Sequence, residues 1–195
     1  RRVLFRSDYS AEPECWFVDS GLIYDGRNTD PSDTLTITSG GGGWIAGATG
    51  TLTASGFTPF TGGSVDDVYC LQDVALDAYV PGQECGRVRI DTVLASNAAE
   101  CSFLTAIPEA IQGVATDNWA LMADDVSGLD HLAGETVSVL ADGAVDPNTV
   151  VSSGGSITIS RNASIVIAGL PYTSKLQTMR LEGGSEAGTS QGKRK

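Results

Sequence analysis

The chain has 195 residues, of which 41% are hydrophobic and 18% are charged. This composition is typical of a folded domain with a buried core and excludes an intrinsically disordered chain. The formal net charge of −12 argues against direct binding to nucleic acid or to an anionic membrane surface. No apolar run approaches the roughly 18 residues that are needed to span a bilayer.

The two ends of the chain differ from the rest. The first seven residues, RRVLFRS, match the translated end of a common sequencing-library adapter. We therefore expect residues 1–7 to be an assembly artefact, the biological sequence to start near Asp8, and the gene to be a metagenomic fragment. Residues 183–195 are rich in Gly and Ser and are predicted to form a flexible, truncated tail.

Between these ends, about ten short segments have the alternation or the β-branched and aromatic content of strands. In chain order the predicted strands are 15–26, 34–38, 44–56, 67–73, 84–96, 100–107, 135–141, 156–160, 163–170 and 170–182. A short helical turn is predicted within 107–119. Many strands joined by Gly-rich turns indicate an all-β protein.

Alternation also predicts which side chains face inward. Two sets are expected on inward faces: Val88, Ile90 and Thr92, and then Val137, Val139 and Ala141. Asp142-Gly143 is a strong signal for a tight hairpin turn after the second set. A second hairpin is predicted over 150–160.

The four cysteines are Cys15, Cys70, Cys85 and Cys101. None forms a CxxC pair, which argues against a zinc site. Small buried thiols are the favoured interpretation. A disulfide from Cys70 to Cys85 or to Cys101 stays open at this point.

Two sequence segments resemble a known family. WFVDSGLIYDG (16–26) and SGLDHLAGETVSVLADGAV (127–145), followed by GGSITI and ASIVIAGLPYTSKLQT, are similar to segments of tail-tube or nozzle-type virion proteins of short-tailed bacteriophages. The resemblance implies a virion structural protein, assembled in the bacterial host cytoplasm. It would form a homo-oligomeric ring and contact other tail or adaptor proteins, without catalysis, cofactor, metal or membrane.

The residues that carry this resemblance are predicted to be structural. They are Trp16, Asp19, Tyr24, Gly128, His131, Gly134, Val137, Val139, Asp142, Gly143, Gly169, Leu170, Pro171 and Tyr172.

The family pattern places the two segments side by side, whereas here about a hundred residues separate them. We therefore predict a discontinuous β-domain of residues 8–27 plus 124–182, with an inserted module at 28–123. The insert resembles the small β-barrel called FCCH in ubiquitin-activating enzymes. No adenylating motif or Rossmann glycine loop accompanies it, so ubiquitin chemistry is not expected. The strand at 17–24 should lie in the same module as that at 135–141.

Catalysis is weighed at the single histidine, His131, which has Asp130 and Glu135 nearby. Adjacent side chains on an extended backbone point to opposite faces, so Asp130 is poorly placed to orient His131. No nucleophile motif is present. A histidine in a loop that enters a strand is the favoured interpretation, and no catalytic, cofactor-binding or metal-binding residue is predicted.

The alternative function is a carbohydrate-binding or depolymerase-like β module of a tailspike or secreted protein. It would use paired carboxylates across a cleft and an aromatic platform. The candidate carboxylate pairs are Asp66-Asp67 and Asp124-Asp125, and the candidate aromatic residues are Trp16, Trp44 and Trp119. Solvated turns and core anchors are the favoured interpretations of these residues.

Overall fold

The fold is taken from a computed structural model, which describes Val3–Arg6, Trp16–Asp19 and residues 21–171. These residues form thirteen strands and three short 3-10 helices (Gly62–Ser64, Glu109–Ile111 and Asp130–Leu132). The all-β class is therefore confirmed, and the predicted helical turn lies at Glu109–Ile111. Expectations for Asp8, Cys15, Tyr172, the strand beyond Pro171 and the tail at 183–195 fall outside the described residues.

The strands are β1 (Val3–Arg6), β2 (Trp16–Asp19), β3 (Gly21–Asp25), β4 (Thr34–Ser39), β5 (Thr49–Ser55), β6 (Val68–Leu71), β7 (Gly86–Ala95), β8 (Ala98–Phe103), β9 (Trp119–Val126), β10 (Thr136–Ala141), β11 (Ala144–Val150), β12 (Ile157–Ala163) and β13 (Ile165–Gly169). β1 and β2 form a two-stranded antiparallel ribbon. Part of the adapter-like start is thus paired with the strand that carries Trp16 and Asp19.

The larger sheet has seven antiparallel strands in the order β12-β9-β6-β7-β8-β5-β4. It curls until β4 meets the chain that precedes β9: the N–H of Leu35 donates to the carbonyl of Thr116 at 2.9 Å, and the N–H of Gly113 donates to the carbonyl of Ile37 at 3.0 Å. The enclosed barrel-like core contains large buried side chains, including Leu35, Ile37, Leu52, Phe60, Leu71, Ile90, Phe103 and Ile111.

The smaller sheet has four antiparallel strands in the order β11-β10-β13-β3. It packs its inward face against the β9–β12 end of the larger sheet, as two layers of a sandwich. Buried residues of this second core come from both layers: Val137, Val139, Ala141, Val166 and Ala168 from the small sheet, and Val126, Ile157, Ile159 and Ala163 from the large one. Strands β3 and β10 therefore belong to one sheet, with β13 between them.

The chain leaves and re-enters this sandwich at adjacent points. The N–H of Asn28 donates to the carbonyl of Trp119 at 2.9 Å, and the N–H of Leu121 donates to the carbonyl of Gly26 at 2.8 Å. A Cβ atom at Gly26 would clash with the carbonyl oxygen of Leu121, so this close approach requires glycine. The first core draws on 35–121 and the second on 23–24 and 123–168.

The predicted domain boundary between residues 123 and 124 does not coincide with a break between the sheets. That point lies inside β9, a strand missing from the sequence-based set. β9 pairs with β6 on one side and with β12 on the other. The two cores are thus separate along the sequence but share a continuous hydrogen-bonded ladder.

Four strand predictions need correction. The predicted strand at 44–56 begins only at Thr49, because residues 44–48 form bends and a turn. The predicted strand at 15–26 is divided into β2 and β3, and Gly21 has a φ of +59° where β3 begins. Val88 and Ile90 are buried, but Thr92 is exposed, because a bulge after Ile90 inserts one extra residue and reverses the alternation. The hairpin predicted over 150–160 is wrong, since β11 pairs with β10 whereas β12 pairs with β9.

The cysteine interpretation is corrected as well. Cys70 at β6 and Cys85 before β7 form a disulfide, so the buried-thiol interpretation is wrong for this pair. The register of β6 on β7 brings the two together, with Leu71 opposite Gly86. Cys101 is a free, buried thiol whose pKa is raised to about 12 by burial and by the nearby Asp91.

Candidate functional surfaces

The hairpin turn at the centre of the family-like motif connects β10 to β11. Asp142 and Gly143 have φ values of +49° and +79°, the left-handed geometry of a tight two-residue turn, as predicted. The Asp142 carboxylate accepts hydrogen bonds from the Ser164 N–H (3.0 Å), the Ser164 hydroxyl (2.6 Å) and the Ile165 N–H (2.9 Å). Asp142 therefore fastens the turn to the start of β13.

The other motif residues divide between the core and the surface. Val137 and Val139 are buried as predicted, and Gly128 and Gly134 have positive φ values where the loop bends. Trp16 and Asp19 pair through their backbones with β1, and Gly169 ends β13. Leu170 and Pro171 are exposed where the described chain ends, and Tyr172 lies outside it.

Tyr24 is the motif residue that ties the small sheet to the large one. Its hydroxyl donates to the carbonyl of Leu121 at 2.9 Å, across 97 positions of sequence. Burial, with added repulsion from Asp67 and Asp25, raises the pKa of Tyr24 to about 12. The phenol is therefore a neutral donor over the whole physiological pH range.

His131 lies on the exposed side of the 3-10 turn Asp130–Leu132. Leu129 and Leu132, on either side of it, are buried in the second core and anchor the turn. The two leucines are thus explained by their role in the core, and the turn places the imidazole of His131 at the protein surface.

A row of apolar side chains crosses the outer face of the small sheet. Cα registers place Val145 opposite Leu140, Leu140 opposite Ile167, and Ile167 opposite Leu22, so the row spans all four strands. Val145, Leu22 and Ile167 are 80%, 54% and 40% exposed, and Leu140 is half-buried. We call these four residues the apolar row.

Three residues of the apolar row, Leu140, Val145 and Ile167, line a shallow depression of about 220 Å³. Its other lining residues are Gly21, Ser138, Val139, Ala168 and Gly169, and none of the lining residues is charged. This surface is not among the sequence-based predictions, although the strand alternation that marks it is visible in the sequence. If Val137, Val139 and Ala141 face inward, then Leu140 must face outward.

A second concave surface is polar. A groove of about 400 Å³ lies between the loops 27–31, 77–79 and 117–118 and carries the carboxylates of Asp30, Asp77 and Asp117. Arg27 also lines it, but its guanidinium binds Asp25 at 2.6 Å. Hydrogen bonds from Ser32 lower the pKa of Asp30.

The walls of this polar groove are held by the side-chain amides of Asn28 and Asn118. The Asn28 side chain donates to the carbonyls of Asp30, Asp33 and Asp117, each at 2.9 Å. The buried Asn118 amide donates to the carbonyls of Asp73 and Leu76. These amide protons are already used by the backbone, so the groove presents mainly acceptor groups.

The residues proposed for a sugar platform do not assemble one in the described part of the chain. Trp119 is buried and stacks on Phe57, with ring centroids 5.0 Å apart, and Trp44 stacks on Phe103 at 6.0 Å. Both are core anchors, as favoured from the sequence. Burial raises the pKa of Asp67, which follows the exposed Asp66 in a turn.

Within residues 21–171 no group of three or more His, Cys, Asp or Glu side chains is arranged to hold a metal ion. Among the helices of the described residues, none has the length and apolar character to cross a membrane. A comparison of the sequence with known protein families gives no match, and a search of curated proteins likewise finds none that matches.

Proposed function

We propose that this protein is a structural subunit of a bacteriophage tail, of the tube or nozzle type. It acts by assembling with copies of itself into a ring and with neighbouring tail or adaptor proteins in the virion, not by catalysis. The proposal starts from the sequence resemblance at 16–26 and from 127 to about 192.

The observation that carries the proposal is the shared small sheet. The resembling segments are about a hundred residues apart in this chain, yet β3 lies in one sheet with β10 and β13. The intervening chain begins and ends at neighbouring points, Asn28 and Trp119. A family pattern interrupted by an insertion is expected to have this geometry, because the frame must close again around the inserted module.

The charge distribution supports the same function. Residues 21–171 contain 18 Asp or Glu and 4 Arg, with no Lys, which gives a net charge of −14 for this part of the chain. A channel wall with this balance would repel the phosphates of DNA passing through it, whereas a basic wall would bind them. We therefore infer that an acidic surface of the ring faces the lumen.

The test is the assembly state of the purified full chain. Analytical ultracentrifugation over a range of concentrations, followed by electron microscopy, is expected to give closed rings of one size. A protein that stays monomeric at every concentration would contradict the proposal.

A glycan array separates this function from the carbohydrate-binding alternative, and no glycan is expected to bind. Binding that is lost in Asp77→Asn, in the polar groove, and kept in the exposed turn variant Asp66→Asn would favour the alternative.

A further inference from the structure

The apolar row is a contiguous set of apolar side chains on the outer face of the small sheet. Its four side chains, Val145, Leu140, Ile167 and Leu22, stand at matching registers across the whole width of the small sheet. Contiguous exposed apolar patches on a protein surface generally mark a contact with another segment or molecule. The uncharged depression beside the row could receive one or two further side chains.

We propose that residues 172–182 of this same chain cover the apolar row. The position of the chain favours this occupant. Gly169 lines the depression, and the described chain leaves β13 there through Leu170 and Pro171. Proline lacks the N–H that would continue the β13 ladder, so the chain is free to turn across the sheet face. The contact is separate from the assembly proposed above.

The length of the segment is sufficient. Four strands at about 4.8 Å spacing make a face about 14 Å wide between the outer strand axes. Eleven extended residues span about 36 Å at about 3.3 Å each. The segment YTSKLQTMRLE therefore reaches from β13 to either edge of the sheet.

Its chemistry also matches the surface. Residues 172–182 provide four apolar side chains to pack on the row, namely Tyr172, Leu176, Met179 and Leu181. The whole stretch 172–195 has five basic and two acidic residues, whereas residues 21–171 carry −14. The basic stretch is therefore attracted to the acidic body.

A second copy is the less favourable occupant. The tethered segment, in contrast, has an effective concentration of about 1 mM or more, far above that of a second copy in dilute solution.

Limited trypsin digestion of the full chain tests the proposal, because Lys175 and Arg180 lie within the segment and Lys193 and Arg194 lie beyond it. Cleavage after the first two residues should be slower than after the last two. Leu22→Asp should accelerate cleavage after Lys175 and Arg180 by about tenfold, since it places a carboxylate in the row and favours the open state.

The matched control is Leu94→Asp, in β7, because Leu94 is 55% exposed and Leu22 is 54% exposed. Val145→Asp, at the 80% exposed end of the row, is a second variant in case Leu22→Asp fails to fold. Equal cleavage at all four sites of the wild type, or equal rates in the row variants and the control, would refute the proposal. Protection that disappears on about a hundredfold dilution would identify a second copy as the occupant and refute it equally.

Discussion

At the scale of single residues, Asp142 has two roles: it forms a tight turn, and its carboxylate binds the start of β13. Only the first role is predicted from the sequence. The Asp-Gly signal predicts the turn, because Asp tolerates a positive φ and Gly adopts one freely. It does not predict that the carboxylate also accepts three hydrogen bonds from Ser164 and Ile165, which lie more than twenty residues further along the chain. Such a contact depends on the position of β13, which only the folded chain defines.

Replacement of Asp142 should reveal both roles. Asp142→Ala is expected to lower the free energy of unfolding by about 2–4 kcal/mol, because it adds left-handed strain and leaves the buried Ser164 hydroxyl without its acceptor. The control is Asp66→Ala, because Asp66 is exposed and is the other non-glycine residue with positive φ among residues 21–171. It should cost about 1 kcal/mol from backbone strain alone. Equal losses in urea titrations of the two variants would show that the hydrogen bonds of Asp142 contribute nothing.

At the scale of elements, the sequence predicts strands best where one face is buried. Thr34–Ser39 and Thr136–Ala141 alternate cleanly and both lie where expected. Trp119–Val126 was missed because Trp119 and Ala120 are consecutive buried residues, so the alternation that marks a strand is lost. The bulge after Ile90 was missed for a different reason: it is a property of the pairing with β8 and not of β7 itself.

The disulfide should stabilise the loop between β6 and β7. Cys70 and Cys85 are 15 positions apart, and a cross-link of this span stabilises a fold by about 3 kcal/mol through the entropy of the unfolded chain. We expect reduction to lower the free energy of unfolding by this amount. The folded loop should persist, because the Gln72 side chain donates to and accepts from the backbone of Val80.

Two variants check this account of the disulfide. The double variant Cys70→Ser/Cys85→Ser should be less stable by the same amount and insensitive to reductant. Gln72→Ala should instead increase amide hydrogen exchange in the loop while the disulfide is intact. If the reduced and oxidised proteins have the same free energy of unfolding, the disulfide does not stabilise the fold.

At the scale of the whole molecule, the two cores are connected in a way that the family resemblance did not predict. The resemblance predicted an insertion, and the buried residues of each core come from separate parts of the chain. It could not predict that β9 would connect them through pairs with both β6 and β12. Strand order in a sheet depends on long-range pairing, which local sequence patterns do not encode.

Excision of the intervening chain tests how independent the second core is. If residues 29–118 are replaced by a short Gly-Ser linker, the remainder should still fold cooperatively, because no residue of the second core lies in that range. Asn28 and Trp119 are already hydrogen-bonded, so the linker needs little length. Circular dichroism and thermal unfolding would measure the outcome.

The same excision in a Val139→Asp background is the control, since Val139 is 2% exposed in the second core and this variant should not fold. If the excised protein is itself unfolded, the two cores form a single cooperative unit joined by β9.

The neighbouring positions of Gly21 and Ala168, which pair across β3 and β13, have a mechanical consequence. Tension applied to both ends of residues 21–169 would load this antiparallel pair from one end, so its hydrogen bonds would break one after another rather than together. The chain between Asn28 and Trp119, which are hydrogen-bonded to each other, would bear no load until β3 had peeled away. The protein would therefore yield at low force along this direction, whatever its thermal stability.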